Sequence, residues 1–229
     1  MDIINNEKMV SRNSRLGQYA SILGLLILAA GLFMSFQGEQ WVLPSFAALL
    51  VGFILSQVGL YYGNRFGRVR QDLLLNQALK GLDGRYKLYH NTKATNHLLV
   101  GPAGIWLLLA RFQRGSITYE KGRWKQRGGL FLGYMRLMAQ EGLGRPDLEI
   151  PYEVEKVRKF LAQHMPADEV PPISPVLVFT SDRAVVDAGN APIPTIAVSD
   201  LKELIRKAQK TQPLSAPKYT AVQEALENA

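Results

Sequence analysis

The sequence predicts a mixed α/β domain, a sheet flanked by helices, preceded by a two-helix transmembrane hairpin. Three observations predict it: two long stretches without charge near the N-terminus, a series of β-rich runs broken by Gly and Pro over residues 85–127, and a helix–strand–strand–helix order after residue 150. The 229 residues suffice for one domain with an appendix and not for two full domains.

Residues 16–36 and 41–62 carry no charged side chain, and each is long enough at 1.5 Å per residue to cross a hydrocarbon core about 30 Å thick. Only Gln37, Gly38, Glu39 and Gln40 separate them, so the chain turns straight back. Pro44 falls in the first turn of the second helix, where a missing N–H costs nothing. A cleaved signal peptide fits poorly, because its apolar region is shorter and ends at a small-residue cleavage site. Lys8, Arg12 and Arg15 precede the pair, Arg65, Arg68 and Arg70 follow it, and the turn has no Lys or Arg. The positive-inside rule then places both termini in the cytoplasm, as a two-span protein of a bacterial inner membrane. Residues 1–15 are read as a cytoplasmic N-terminal segment. Trp41, Tyr61 and Tyr62 stand at the ends of the second span, where amphipathic rings prefer headgroup depth. Ala48, Gly52 and Ser56, then Gly59, Gly63 and Gly67, recur every four residues. Such stripes let helices approach closely, here within the hairpin in preference to a seam between copies.

The domain is expected over residues 65–210. Residues 71–80 have helical composition, and Gly81 with Asp83-Gly84 stops them. Residues 85–91, 97–100, 105–111, 116–119 and 123–127 read as a meander of about five strands. The run 105–110 is apolar at consecutive positions, the pattern of a central strand buried on both faces. Residues 151–164 are helical, with Val154, Val157, Phe160 and Leu161 on one side. Residues 176–179 and 193–198 read as strands, and Asp200 with Glu203 resembles a capping box opening a last helix. Residues 211–229 contain Pro, Ser and Ala and are expected as a loose tail. Residues 130–138, after Gly128-Gly129, read equally as an amphipathic surface segment or a core helix.

With no cysteine, disulfides, thiolate metal sites and cysteine nucleophiles are excluded. His90 and His164 are too far apart in sequence to suggest a metal site, and His97, beside an apolar strand, reads as a structural histidine. The Gly101-Pro102-Ala103-Gly104 segment lacks the context of a phosphate-binding loop and reads as a strand connector. No cofactor or metal is expected.

One stretch carries a resemblance. His90-Asn91, then Asn96-His97-Leu98-Leu99-Val100-Gly101-Pro102-Ala103-Gly104-Ile105-Trp106, then Gly115-Ser116-Ile117 and Trp124, resemble the NERD (nuclease-related) domain. The resemblance implies a restriction-endonuclease-like fold and a magnesium-type ion held by an Asp and a Glu on adjacent strands, with a Lys two residues after the Glu. Where the family has E-I-D-H, this chain has Ala94-Thr95-Asn96-His97, and where it has E-x-K, Leu109-Ala110-Arg111. Asn96 offers a neutral amide oxygen, Leu109 no ligand, and Arg111 stays protonated and cannot act as a base. Asp72 is a weak match to a further acidic position, and Glu120 or Asp83 are candidates for a carboxylate that has migrated. The resemblance therefore implies the fold without the catalysis, a membrane-anchored pseudoenzyme with a binding or scaffolding role. The alternative is a membrane-tethered nuclease with a rearranged site.

Between residues 71 and 145 there are twelve Lys or Arg against four Asp or Glu, whereas residues 146–229 have nine against twelve. Arg111, Arg114, Lys121, Arg123, Lys125 and Arg127 fall in and around one expected hairpin, with Trp124 and Tyr119 among them. Such a surface suits nucleic acid, with the rings stacking on bases. It equally suits anionic lipid headgroups, or a solvated edge whose charges discourage strand pairing. The expected partners are thus the bilayer, with nucleic acid, anionic headgroups or a further protein as candidates.

Overall fold

A computed structural model describes residues 1–66, 70–128 and 142–228. Gly67, Arg68 and the segment 130–138 lie outside the described residues. The chain forms two units, residues 6–70 and the remainder.

In the first unit, helix α1 (Glu7–Ser35) and helix α2 (Val42–Phe66) are each long and apolar enough to cross a membrane. Helix α1 begins nine residues before the charge-free stretch, because Asn6 caps it: its Oδ1 accepts from Met9 N at 3.1 Å. A single 3₁₀ turn, Glu39–Trp41, joins the helices after Gly38, whose φ of 111° suits glycine. The hairpin closes on small residues. A methyl group added at Gly24 would lie 2.8 Å from Ser56 N and 3.0 Å from Gly52 O, and one at Gly52 would lie 2.9 Å from Leu28 N. The stripe on α2 thus meets Gly17, Gly24 and Gly31 of α1, seven residues apart, and close backbone approach replaces side-chain interlocking. Leu25, Phe33, Leu43, Phe46 and Leu50 face outward and exposed.

The second unit is a mixed α/β domain. Strand β1 (Asp2–Asn5) runs parallel to β2 (Lys87–His90); β3 (His97–Gly101) returns antiparallel and turns through Pro102-Ala103 into β4 (Gly104–Arg111). Beside β4 lie β7 (Ile173–Phe179) and β9 (Thr195–Ala197), both parallel to their neighbours, giving the order β1-β2-β3-β4-β7-β9. Five of the six strands therefore point one way. Helices α3 (Gln71–Leu79) and α5 (Leu201–Thr211) cover one face through Leu75, Leu79, Leu201 and Ile205. Helices α4 (Pro146–Ala162) and α6 (Ala216–Glu227) cover the other through Ile150, Val157, Leu161, Val222 and Leu226. Central β4 is buried from Ile105 to Ala110, as its unbroken apolar run requires.

Several expectations are corrected. The meander is not one sheet: β5 (Gly115–Glu120) and β6 (Arg123–Arg127) leave it and pair with β8 (Ala184–Asp187) in a separate three-stranded sheet, order β6-β5-β8. The edge of β4 that a meander would give to β5 is taken by the more apolar β7, and the small sheet lays Ile117 and Trp124 on the α4/α6 face. Residues 1–15 are not one segment, since four of them form β1. Residues 211–229 are not a loose tail: α6 buries Tyr219, Val222, Ala225 and Leu226, and Gln223 Nε2 donates to Arg85 O at 3.1 Å and Val100 O at 3.2 Å. Helix α4 starts at Pro146, whose missing N–H falls in the first turn and costs nothing, and it carries Pro151 inside it, where the N–H that would bond back to the carbonyl of Asp147 is lost. Asp200 makes no side-chain cap on α5, which follows a 3₁₀ turn instead.

Candidate functional site

Open α/β sheets bind ligands outside the carboxyl ends of their parallel strands, and this sheet concentrates its buried polarity there. Asp72, His90, Asn91, Thr95, His97, Thr180 and Ser181 are all buried at that end. The opposite end is a tight turn in which Trp106 Nε1 donates to Ala103 O at 3.0 Å.

The helices divide the polar end into two patches. On the α3 face, register places His90 directly across from His97, and their Nδ1 atoms lie 2.8 Å apart with His90 Nε2 2.8 Å from Asn76 Oδ1. An amide oxygen only accepts, so His90 donates from Nε2 to Asn76 Oδ1, and the two Nδ1 atoms share one hydrogen bond. Beside this chain, Asn5 Nδ2 donates to Asp72 Oδ2 at 3.1 Å and Asn91 Nδ2 donates to Asn5 Oδ1 at 3.0 Å. Asn91 has a φ of 54°, a conformation that Asn tolerates better than most residues, and its N–H reaches Asn96 O at 2.7 Å. His97 is thus a hydrogen-bonded histidine, and the separation of His90 from the other histidines in sequence conceals its pairing.

The α4 face carries the charged patch. Arg111 ends β4, and Thr180 N donates to its carbonyl at 2.7 Å. The guanidinium Nη2 is paired with Glu149 in the first turn of α4. Its Nε is buried without a hydrogen-bond partner. One turn on, Glu153 accepts from Thr95 Oγ1 at 3.4 Å and lies 3.7 Å from Lys156. Leu109 is buried in the core beneath, and Asn96 is exposed. Asp72 is not with them: it sits on α3, across the sheet. Of the candidate migrated carboxylates, Asp83 is bound by Arg85 at 2.6 Å, and Glu120 by Lys125 at 3.0 Å and Arg127 at 2.9 Å. These partners hold both carboxyls below their usual range, the hydrogen bond from Arg85 or Lys125 being the largest cause. The carboxylate that does reach Arg111 is Glu149, which sequence reasoning passed over because the pairing joins a strand to a helix far along the chain. Among the described residues, no group of three or more His, Asp or Glu is placed to hold a metal ion.

The basic hairpin is divided by its pleat. Cross-strand pairing puts Arg123, Lys125 and Arg127 on one face with Glu120, Thr118 and Ser116, and Trp124 on the other with Tyr119. Trp124 is buried, its Nε1 donating to Thr195 Oγ1 at 3.0 Å and its ring 4.7 Å from that of Tyr119. It therefore leaves the expected binding surface. Lys121 is exposed in the turn, Arg114 is half-buried, and Arg111 belongs to the charged patch on β4. A cleft of about 500 Å³ between β8 and β9 is lined by Asp187 and Asp200, two exposed groups of like charge.

No family model matches the chain, and no curated protein or solved structure matches it significantly.

Proposed function

We propose that the chain is a membrane-anchored, non-catalytic NERD-like domain of restriction-endonuclease-like fold, with a binding or scaffolding role at the cytoplasmic face of a bacterial inner membrane. One observation carries the reading. At the strand positions where the resemblance asks for a metal-binding carboxylate and a catalytic amine stand a core leucine, Leu109, and an arginine, Arg111, whose charge is matched by Glu149. A magnesium-type ion needs anionic oxygens, and here the carboxylate charge is already balanced.

Anchoring is supported by the two apolar helices and by the path of the chain. The hairpin is inserted between β1 and α3, which belong to one folded unit. Both ends of the insertion lie in one compartment, so the chain crosses the bilayer an even number of times. The Lys and Arg flanking the hairpin favour the cytoplasm.

The purified full chain, incubated with DNA and RNA in magnesium or manganese, is expected to leave both intact; metal-dependent cleavage overturns the reading. A second reading, a tethered nuclease with a rearranged site, is favoured by Glu149 and Glu153 reaching the strand ends at Arg111 and Thr95. It requires cleavage that Glu149→Gln abolishes.

A further inference from the structure

The outer face of the small sheet is a candidate contact surface of defined chemistry. Strand β6 presents Arg123, Lys125 and Arg127 at alternate positions, roughly 7 Å apart along the strand. The turn adds Lys121, exposed and held at a φ of 52° next to Gly122 at 76°, the two positive values that a type I′ hairpin turn requires. Across the face stand the hydroxyls of Ser116 and Thr118, and on β8 the exposed side chain of Val185, in register with Ser116 and Arg127. The acidic members of the face are Glu120 and Asp187, and Glu120 holds Lys125 and Arg127 together.

We propose that this face docks on the anionic phospholipid headgroups of the bilayer that carries the hairpin, with Glu120 limiting the attraction. The inference rests on the membrane-anchored reading. Two observations favour lipid over nucleic acid. The aromatic rings of the hairpin are turned inward, Trp124 buried and Tyr119 against it, so the face offers no platform on which bases stack. The chain's own apolar helices also keep a bilayer at high effective concentration, so weak attraction suffices. A Lys or Arg near an anionic leaflet strengthens binding about fivefold. Glu120 spends part of that attraction inside the face, and its removal frees two cations at once.

The absence of cysteine makes the test clean. A single cysteine at Val185→Cys carries an environment-sensitive fluorophore, and one at Lys218→Cys, exposed on α6, serves as control. The full chain is placed in nanodiscs of phosphatidylcholine alone or mixed with phosphatidylglycerol. The label at 185 is expected to shift blue and to be quenched by headgroup spin labels only with phosphatidylglycerol, the control staying unchanged. Changing Arg123, Lys125 and Arg127 together to Gln lowers docking roughly a hundredfold. Arg123→Lys with Arg127→Lys retains it, and Glu120→Gln raises it about fivefold. Equal signals in both lipids, or docking indifferent to the triple variant, overturn the proposal. So does capture of a short duplex DNA by the same face in phosphatidylcholine discs. A chain that does not enter discs at all refutes the anchored reading itself, an outcome read separately from the label.

Discussion

The two ends of the main sheet are built from opposite chemistry. At the turn end, Gly101 has no side chain because the Tyr86 ring occupies the space, and burial pushes that phenol up to about 12. The carboxyl end is a layer of side chains bonded to one another, His90, His97 and Asn76 beneath α3 and the Arg111–Glu149 pair beneath α4. The first end is fixed by shape and the second by matching donors to acceptors. Substitutions at the two ends therefore fail for different reasons.

The largest effect is expected at His90. Replacing it by Leu leaves Asn76 Oδ1 and His97 Nδ1 without the bonds they make to His90, each loss costing about 1–3 kcal/mol when buried. Denaturant unfolding of the full chain in detergent, followed by tryptophan fluorescence, should show a loss of about 3–5 kcal/mol. At the other end, Gly101→Ala puts a methyl group 2.5 Å from Tyr86 Cδ1. Overpacking of that kind costs about 1–3 kcal/mol, whereas Gly84→Ala, with nothing within 4 Å of the added carbon, should be near neutral in the same melt. If both glycine variants unfold alike, the shape argument for the turn end fails.

Smaller effects belong to the half-exposed charges. Glu149→Gln removes the anion beside Arg111, whose side chain is 22 % exposed, and should cost about 1 kcal/mol, within the range for partly solvated pairs. The smallest effect concerns pH. Lys87, 2.7 Å away, and the Tyr89 hydroxyl hold the Glu227 carboxyl below its ordinary range. A lowered carboxyl stabilises the folded state above the unfolded value, near 4.3, and the contribution fades as pH falls from there through the lowered value. Acid titration followed by hydrogen exchange should show the end of α6 loosening, and Lys87→Met should weaken that dependence, the Tyr89 hydroxyl remaining.

The sequence revealed what depends on neighbours in the chain. Both apolar helices, strands β2 to β6 and the double burial of β4 follow from local runs, whereas the reading of Trp124 as a surface ring among the cations passed over the alternation of Arg123-Trp124-Lys125-Gln126-Arg127, which sets the tryptophan on the opposite face. Helix α6 had a signal too, in Tyr219, Val222 and Leu226 on one side, outweighed by the Pro and Ser before them. What stayed hidden depends on pairing at a distance. Four residues of β1 are too few to show a period, and their strand character comes from β2. The His90–His97 contact follows from strand register, and Glu149 reaches Arg111 only through the docking of α4. At the candidate site, the sequence supplied the residues that differ from the resembled family and not the partners that now occupy them.

The claim that the carboxyl end has no place for a catalytic metal is open to direct titration. Manganese(II) added to the full chain in detergent is followed by the electron paramagnetic resonance signal of the free ion. The free signal should rise in proportion to the metal added, as in buffer alone. Stoichiometric uptake of one ion, lost in Glu149→Gln, would contradict the account.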